Sequence, residues 1–165
     1  MNLARLFSHL FTPAWRVRQL LSATDRTALA AAVAASERLQ RGELRVVVEG
    51  PLSVAALLRG QTPRQRAAEL FGALGIWDTA ENSGVLIYIQ CVDRRVEILA
   101  DRGIAAQVPQ LEWEALCRAM EAAFARGAYR AGLLAAIDGA TRLLVAHFPA
   151  GEDNCNELPD APLLL

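Results

Sequence analysis

The chain has 165 residues, 53% of them hydrophobic, and a formal net charge of -1, so it fits one domain and offers no basic surface for nucleic acid. All 17 basic residues are arginine, which excludes a lysine Schiff base and a lysine-bearing phosphate loop. Scattered cysteines (Cys91, Cys117, Cys155) and the two histidines, His9 and His147, give no disulfide framework, no zinc spacing and no Ser-His-Asp triad.

The first predicted element is a helix over 3–11. Leu3, Leu6, Phe7, Leu10 and Phe11 recur at helical spacing, Arg5 and His9 lie opposite, and Pro13 ends the run. Two readings are open. The helix serves a membrane surface or a partner, or its apolar stripe packs onto its own domain, which is preferred. The first 24 residues hold no acidic side chain. They lack a signal-peptide cleavage site, and no apolar run reaches the roughly 18 residues that span a bilayer. The expected location is cytoplasmic, peripheral at the membrane at most, with no transmembrane segment.

Ser22 or Thr24 caps a helix running to about Arg41 and closed by Gly42. ELRVVVE, residues 43–49, is a β-branched strand, followed by a connector with one or two helical turns. Thr62, Pro63 and Gln65 form a capping box with proline at the first helical position. That helix buries Leu70, Phe71 and Leu74 and stops at Gly75. Ile76-Trp77 is then expected to plug the core, although Trp77 beside Asp78 can also wall a pocket. Two later helices run from Glu112 to Arg126 and from Tyr129 to Phe148. The first buries Trp113, Leu116, Cys117, Met120 and Phe124; the second turns Leu134, Ile137, Leu144, Val145 and Phe148 inward. Glu114–Arg118 and Asp138–Arg142 pair on the wet faces. PAGEDNCNELPDAPLLL reads as an irregular or docking tail. The division expected is an amphipathic helical segment at 1–22, an α/β domain at 23–149 and an acidic, proline-containing tail at 150–165.

ENSGVLIYIQCVDRRVEILADRGI, residues 81–104, reads as a hairpin. With Asp93-Arg94 as a two-residue turn, Ile87, Ile89 and Cys91 lie opposite Ala100, Ile98 and Val96 on one apolar face; a longer turn is also open, because Asp-Arg is not a favoured pair. Asp93 and Asp101 then stand about 26 Å apart along an extended strand and cannot share an ion. Asp101 instead returns to the end where Asp78, Glu81 and Asn82 enter. A strand at 43–49 running parallel to 84–92 places Glu49 at the Asp93 end. Asp78, Glu81, Asn82 and Asp101 are the richer grouping and the candidate metal ligands, with oxygen donors suited to calcium or magnesium. Asp93 reads as a turn residue.

The element order, with ELRVVVEG, SGVLIYIQCVDRRVEILADRGI and FARGAYRAGLLAAIDGATRLL, resembles the TPM-domain family, related to thylakoid-lumen acid-phosphatase-like proteins. The resemblance covers about residues 24–148 and includes a Gly-x-Tyr-x-x-Gly element at Gly127, Tyr129 and Gly132. It implies an α/β fold, a mixed central β-sheet sandwiched by α-helices. It also implies acid-phosphatase activity in some members, calcium or magnesium binding in others, and a link to membrane-protein maintenance. Where the family carries Gly-x-Gly-Leu-Glu and a later Asp, this chain has Asp101, Arg102, Gly103, Ile104 and Ala105, then Gln110.

Two functions follow as expectations. The first is a TPM-domain interaction module with little or no catalysis, docking a protein partner near the membrane and binding a divalent cation at most. The alternative is a magnesium- or calcium-dependent phosphatase acting on phosphomonoesters. In it Asp78, Asn82 and Asp101 hold the ion, Arg102 compensates charge, and Arg64 at a helix N-terminus adds an anion contact. Arg64 and Arg102 read more simply as surface residues. Neither reading identifies catalytic residues, and an organic cofactor is not expected.

Overall fold

Alternating β-branched strands separated by capped helices force a layered arrangement, since each strand must cover two faces and each helix one. The computed structural model describes residues 3–151 and 156–165. In chain order the elements are α1 (Leu3–Phe11), α2 (Trp15–Leu20), α3 (Ala23–Glu37), β1 (Glu43–Glu49), α4 (Val54–Leu58) and α5 (Pro63–Ala73). Then come β2 (Gly84–Gln90), β3 (Arg95–Ala100), α6 (Arg102–Ala105), α7 (Gln110–Ala125), α8 (Tyr129–His147) and β4 (Leu163–Leu164). The strands make one mixed sheet in the order β3-β2-β1-β4. β1 runs parallel to β2 and β4, and β2 runs antiparallel to β3.

Strand alternation divides the core in two. Val46 and Val48 of β1, Val85, Ile87 and Ile89 of β2, and Val96 and Ile98 of β3 meet Leu29, Trp113, Met120, Ile137 and Leu144 from α3, α7 and α8. On the opposite face Val47, Leu86 and Tyr88 meet Ala67 and Leu70 of α5, Ile76, and Leu158 of the tail. The fold is therefore the expected α/β sandwich, with helices on both faces of a mixed sheet.

Local signals set several boundaries. Ser22 and Asp25 cap α3 reciprocally, and Thr62 and Gln65 do the same for α5 with Pro63 at the first turn. α3 stops at Glu37, short of the expected Arg41. There the Gln40 side chain donates to the Gly42 carbonyl at 2.8 Å, and the Glu37 carboxyl group accepts the Leu44 amide at 3.0 Å, leading the chain into β1.

The packing expected of Trp77 and Val145 is corrected, and two open alternatives, the longer hairpin turn and the docking tail, are observed. The hairpin turn spans Cys91–Arg94, so Ile87 faces Ile98 and Ile89 faces Val96, two residues from the expected register. A slip of two keeps every side chain on its face. The Gln90 Oε1 atom accepts the Val92 amide at 2.8 Å, and Arg94 adopts a φ of 54°, which together widen the turn. Trp77 is not a core plug. It is 55% exposed while Ile76 is buried, because Gly75 turns the chain at a φ of 67° and only one of the pair can point inward. Val145 is exposed as well, lying about 100° around α8 from Leu144, whose stripe faces the sheet.

The tail, finally, is ordered against the sheet over its described residues. Its Leu163–Leu164 strand pairs with Val47 and Val48. The Arg45 Nη1 atom donates to the Pro159 and Ala161 carbonyls, both at 2.6 Å, and Glu43 accepts the Leu158 amide at 3.1 Å. Cys155 lies outside the described residues.

Candidate functional site

At the hairpin-turn end of the sheet, α1 is attached by its polar side. Arg5 donates through Nε and Nη2 to the two carboxylate oxygens of Asp93, at 2.8 and 2.7 Å, and through Nη1 to the Gln61 carbonyl at 2.8 Å. One turn along, His9 is 2% exposed. Its Nδ1 accepts the Leu52 amide at 3.0 Å, and its Nε2 lies 3.1 Å from Asp93 Oδ1. An accepting Nδ1 places the ring proton of a neutral imidazole on Nε2, where it is donated to Asp93. Burial raises the Asp93 pKa, but hydrogen bonds from Arg5 and His9 outweigh it and hold this carboxyl below the ordinary aspartate range.

This attachment inverts the expected packing of α1. Among its apolar residues Leu6 packs inward, against Leu52, Ala56 and Leu57. Leu3, Phe7, Leu10 and Phe11 face solvent, Phe11 at 79%, and Trp15 at the start of α2 is exposed too. The Phe7 and Phe11 rings stack with centroids 6.0 Å apart. An apolar stripe that ordinary packing would bury is outside because an ionic stripe won the inner position.

At the other end of the sheet the structure brings three of the four candidate ligands together. Asn82, at a φ of 53°, enters β2 beside the start of α6. The Gly103 amide donates to the Asn82 carbonyl at 3.2 Å, and a Cβ at Gly103 would lie 2.7 Å from that oxygen, so only glycine fits there. Asp101 caps α6, with Oδ1 accepting the Arg102 amide at 2.7 Å. The oxygens are already engaged. Glu81 pairs with Arg41 at 2.7 Å, and the Arg102 Nε donates to Asn82 Oδ1 at 2.9 Å. Of these candidate ligands, Asp101 keeps one oxygen, Oδ2, enclosed without a hydrogen-bond partner among the described residues. Asp78 is exposed and shares no hydrogen bond with the other three among the described residues. No group of three or more His, Cys, Asp or Glu side chains among the described residues is arranged to hold a metal ion. Two guanidinium groups stand where a cation would compensate charge, so this set does not fit a hard-cation shell as arranged.

A third polar group is buried under α5. Glu49 accepts from Arg66 Nη2 at 2.6 Å and from the Tyr88 hydroxyl at 2.6 Å. Burial raises the Tyr88 phenol well above its usual range, and the Glu49 hydrogen bond adds to this. The trio satisfies its own donors and ties α5 to β1 and β2. Nearby, a cleft of about 410 Å³ is lined by Cys91, Arg94, Glu121, Phe124 and Tyr129. Burial pushes the Cys91 thiol up to about 12, so it is a poor nucleophile. Arg64 is committed to β3, donating to the Ile98 carbonyl at 2.8 Å rather than standing free for an anion.

Sequence reading missed Asp93 as an anchor, and with it the roles of Arg5 and His9; it also missed Glu49 as the partner of Arg66 and Tyr88. The available signal was an acid at a turn with two basic side chains at i,i+4 in the first helix. Nothing local links sites so far apart in the chain.

Comparison with known proteins agrees with this architecture. A family model described as the TPM domain matches residues 17–143. Among solved structures, the solution structure of the BA42 protein from the psychrophilic bacterium Bizionia argentinensis is 29% identical. It superposes with a TM-score of 0.76, over 87% of this chain and 94% of that one. The N-terminal domain of a protein from P. gingivalis, 19% identical, shares the fold at a TM-score of 0.62, covering 90% of this chain and 96% of its own. No curated protein matches. The matched span takes in β1, β2, β3 and both helical layers, and this chain belongs to the TPM-domain family.

Proposed function

We propose that this chain is an interaction module with little or no catalysis of its own, docking a partner at or near a membrane surface through α1 and the start of α2. One observation carries the reading: Phe7 and Phe11 stack in solvent on a helix whose polar side is fastened to the domain by Arg5 and His9. A helix fastened this way cannot roll to bury its apolar stripe. The polar groups elsewhere support the same conclusion. Glu49, Arg66 and Tyr88 satisfy one another, Cys91 stays protonated, and Glu81 and Asn82 are engaged by arginine.

The test is fractionation of native cell extract containing either the natural chain or Phe7→Ser/Phe11→Ser. The natural chain should run in larger assemblies, and the variant should move to the free fraction with its thermal unfolding unchanged. Equal fractionation of the two would overturn the reading.

Divalent-ion phosphatase chemistry is the second reading, favoured by the enclosed, unpartnered Oδ2 of Asp101. It requires Arg41 and Arg102 to yield their partners. Magnesium-dependent phosphomonoester turnover that disappears in Asp101→Asn would support it. Turnover that persists in that variant would remove it.

A further inference from the structure

We infer that the occupant of the α1 face is the surface of an anionic lipid bilayer. This rests on the docking role proposed for that face and names what it docks. The geometry is that of a helix lying in an interface. α1 is nine residues long, roughly 14 Å, less than half the ~30 Å hydrocarbon core. No described helix is long and apolar enough to cross a membrane. Leu3, Phe7, Leu10 and Phe11 point outward together, and burying such a stripe at the acyl boundary supplies the apolar part of interfacial binding. Trp15, four residues beyond Phe11 in the chain, adds an exposed amphipathic ring, a residue type that settles at headgroup level.

Charge selects lipid over protein here. Residues 1–24 contain Arg5, Arg16 and Arg18 and no acidic side chain. Arg5 is spent on Asp93, while Arg16 and Arg18 are exposed on α2 beside Trp15. An apolar stripe followed in the chain by two exposed arginines, with no acidic side chain in either helix, complements anionic headgroups over acyl chains. Meanwhile Arg5 and His9 hold the helix on the domain, so its exposed stripe is presented preformed and little ordering is lost on binding.

The test uses the full chain with vesicles of phosphatidylcholine alone, and with about one-third phosphatidylglycerol, read by co-sedimentation. Expected is binding to the anionic vesicles that weakens in high salt. Phe7→Ser/Phe11→Ser should lose about tenfold or more in affinity, and Arg16→Glu/Arg18→Glu about tenfold on anionic vesicles only. Thermal unfolding of each variant shows that the domain stays folded. Equal binding to neutral vesicles overturns the anionic assignment. Failure to bind either vesicle overturns lipid as the occupant, and so does self-association in solution that the Phe7→Ser/Phe11→Ser change abolishes. If the fractionation difference between natural chain and variant persists without vesicle binding, the docking face stands and its occupant is a protein.

Discussion

Arg5 and Asp93, separated by 88 positions in the chain, meet in a two-point guanidinium–carboxylate pair that fixes the first helix to the tip of the β2–β3 hairpin. Both side chains are mostly shielded, and His9 shares the same carboxylate. Breaking this contact should loosen α1 without unfolding the sheet. Asp93→Asn is expected to cost about 1–3 kcal/mol locally, the scale of charge-assisted hydrogen bonds. Hydrogen exchange should quicken over residues 3–11 while β1 and β2 stay protected. Equal loss of protection in the strands would show that α1 is part of the global folding unit.

The same pair carries an acid-side pH dependence. Because the folded Asp93 carboxyl sits below its unfolded value, the stability it contributes is present above about pH 4 and is lost as pH falls through the folded value. Helix exchange rates in the natural chain should therefore rise on acidification. In Asp93→Asn they should be high throughout and respond less.

Glu37 acts in the opposite direction. Burial raises its carboxyl from 4.5 to about 8, against a lowering hydrogen bond from the Leu44 amide, and the neighbouring Glu43 is also raised by burial. The unfolded chain releases this proton first, so stability contributed by the neutral form is full below about 4.5 and is lost as pH rises towards 8. The urea midpoint should fall between pH 5 and 8, and Glu37→Gln should flatten that slope. A midpoint rising over this range would refute the assignment.

Gly84 is a steric requirement. A Cβ there would stand 1.9 Å from the Ile76 carbonyl oxygen, so Gly84→Ala must displace the segment that carries Ile76 into the core. The expected loss is about 1–3 kcal/mol or more, read as a lower urea midpoint. By comparison Thr62→Ala, which removes the side-chain cap of α5, should cost about 1 kcal/mol.

How much was legible depended on how local each cause is. The α5 cap was legible because Thr62, Pro63 and Gln65 state it within four residues, and the parallel pairing of β1 with β2, supposed in the sequence reading, fits the helix-bearing connection between them. The outward face of α1 was not legible. Its apolar period predicts burial, and only the partner at Asp93 explains why Arg5 and His9 occupy the inner position. β4 was hidden for another reason, since Leu163–Leu164 is too short to show alternation and is identified as a strand only by its neighbour Val47. At the acidic end, proximity of Asn82 and Asp101 was readable from the hairpin. The hydrogen bond from the Arg102 side chain to Asn82 was not, because a surface arginine carries no label of its partner.

β4 has a consequence for biosynthesis. The carbonyls that receive the Arg45 side chain are emitted late, Pro159 lying 114 positions downstream. At ordinary translation rates of roughly 5–20 residues per second, several seconds pass in which the flank of β1 has emerged without its cover. Through that interval the Arg45 charge stands as a gatekeeper against intermolecular strand pairing; afterwards the same guanidinium becomes the latch for the arriving strand.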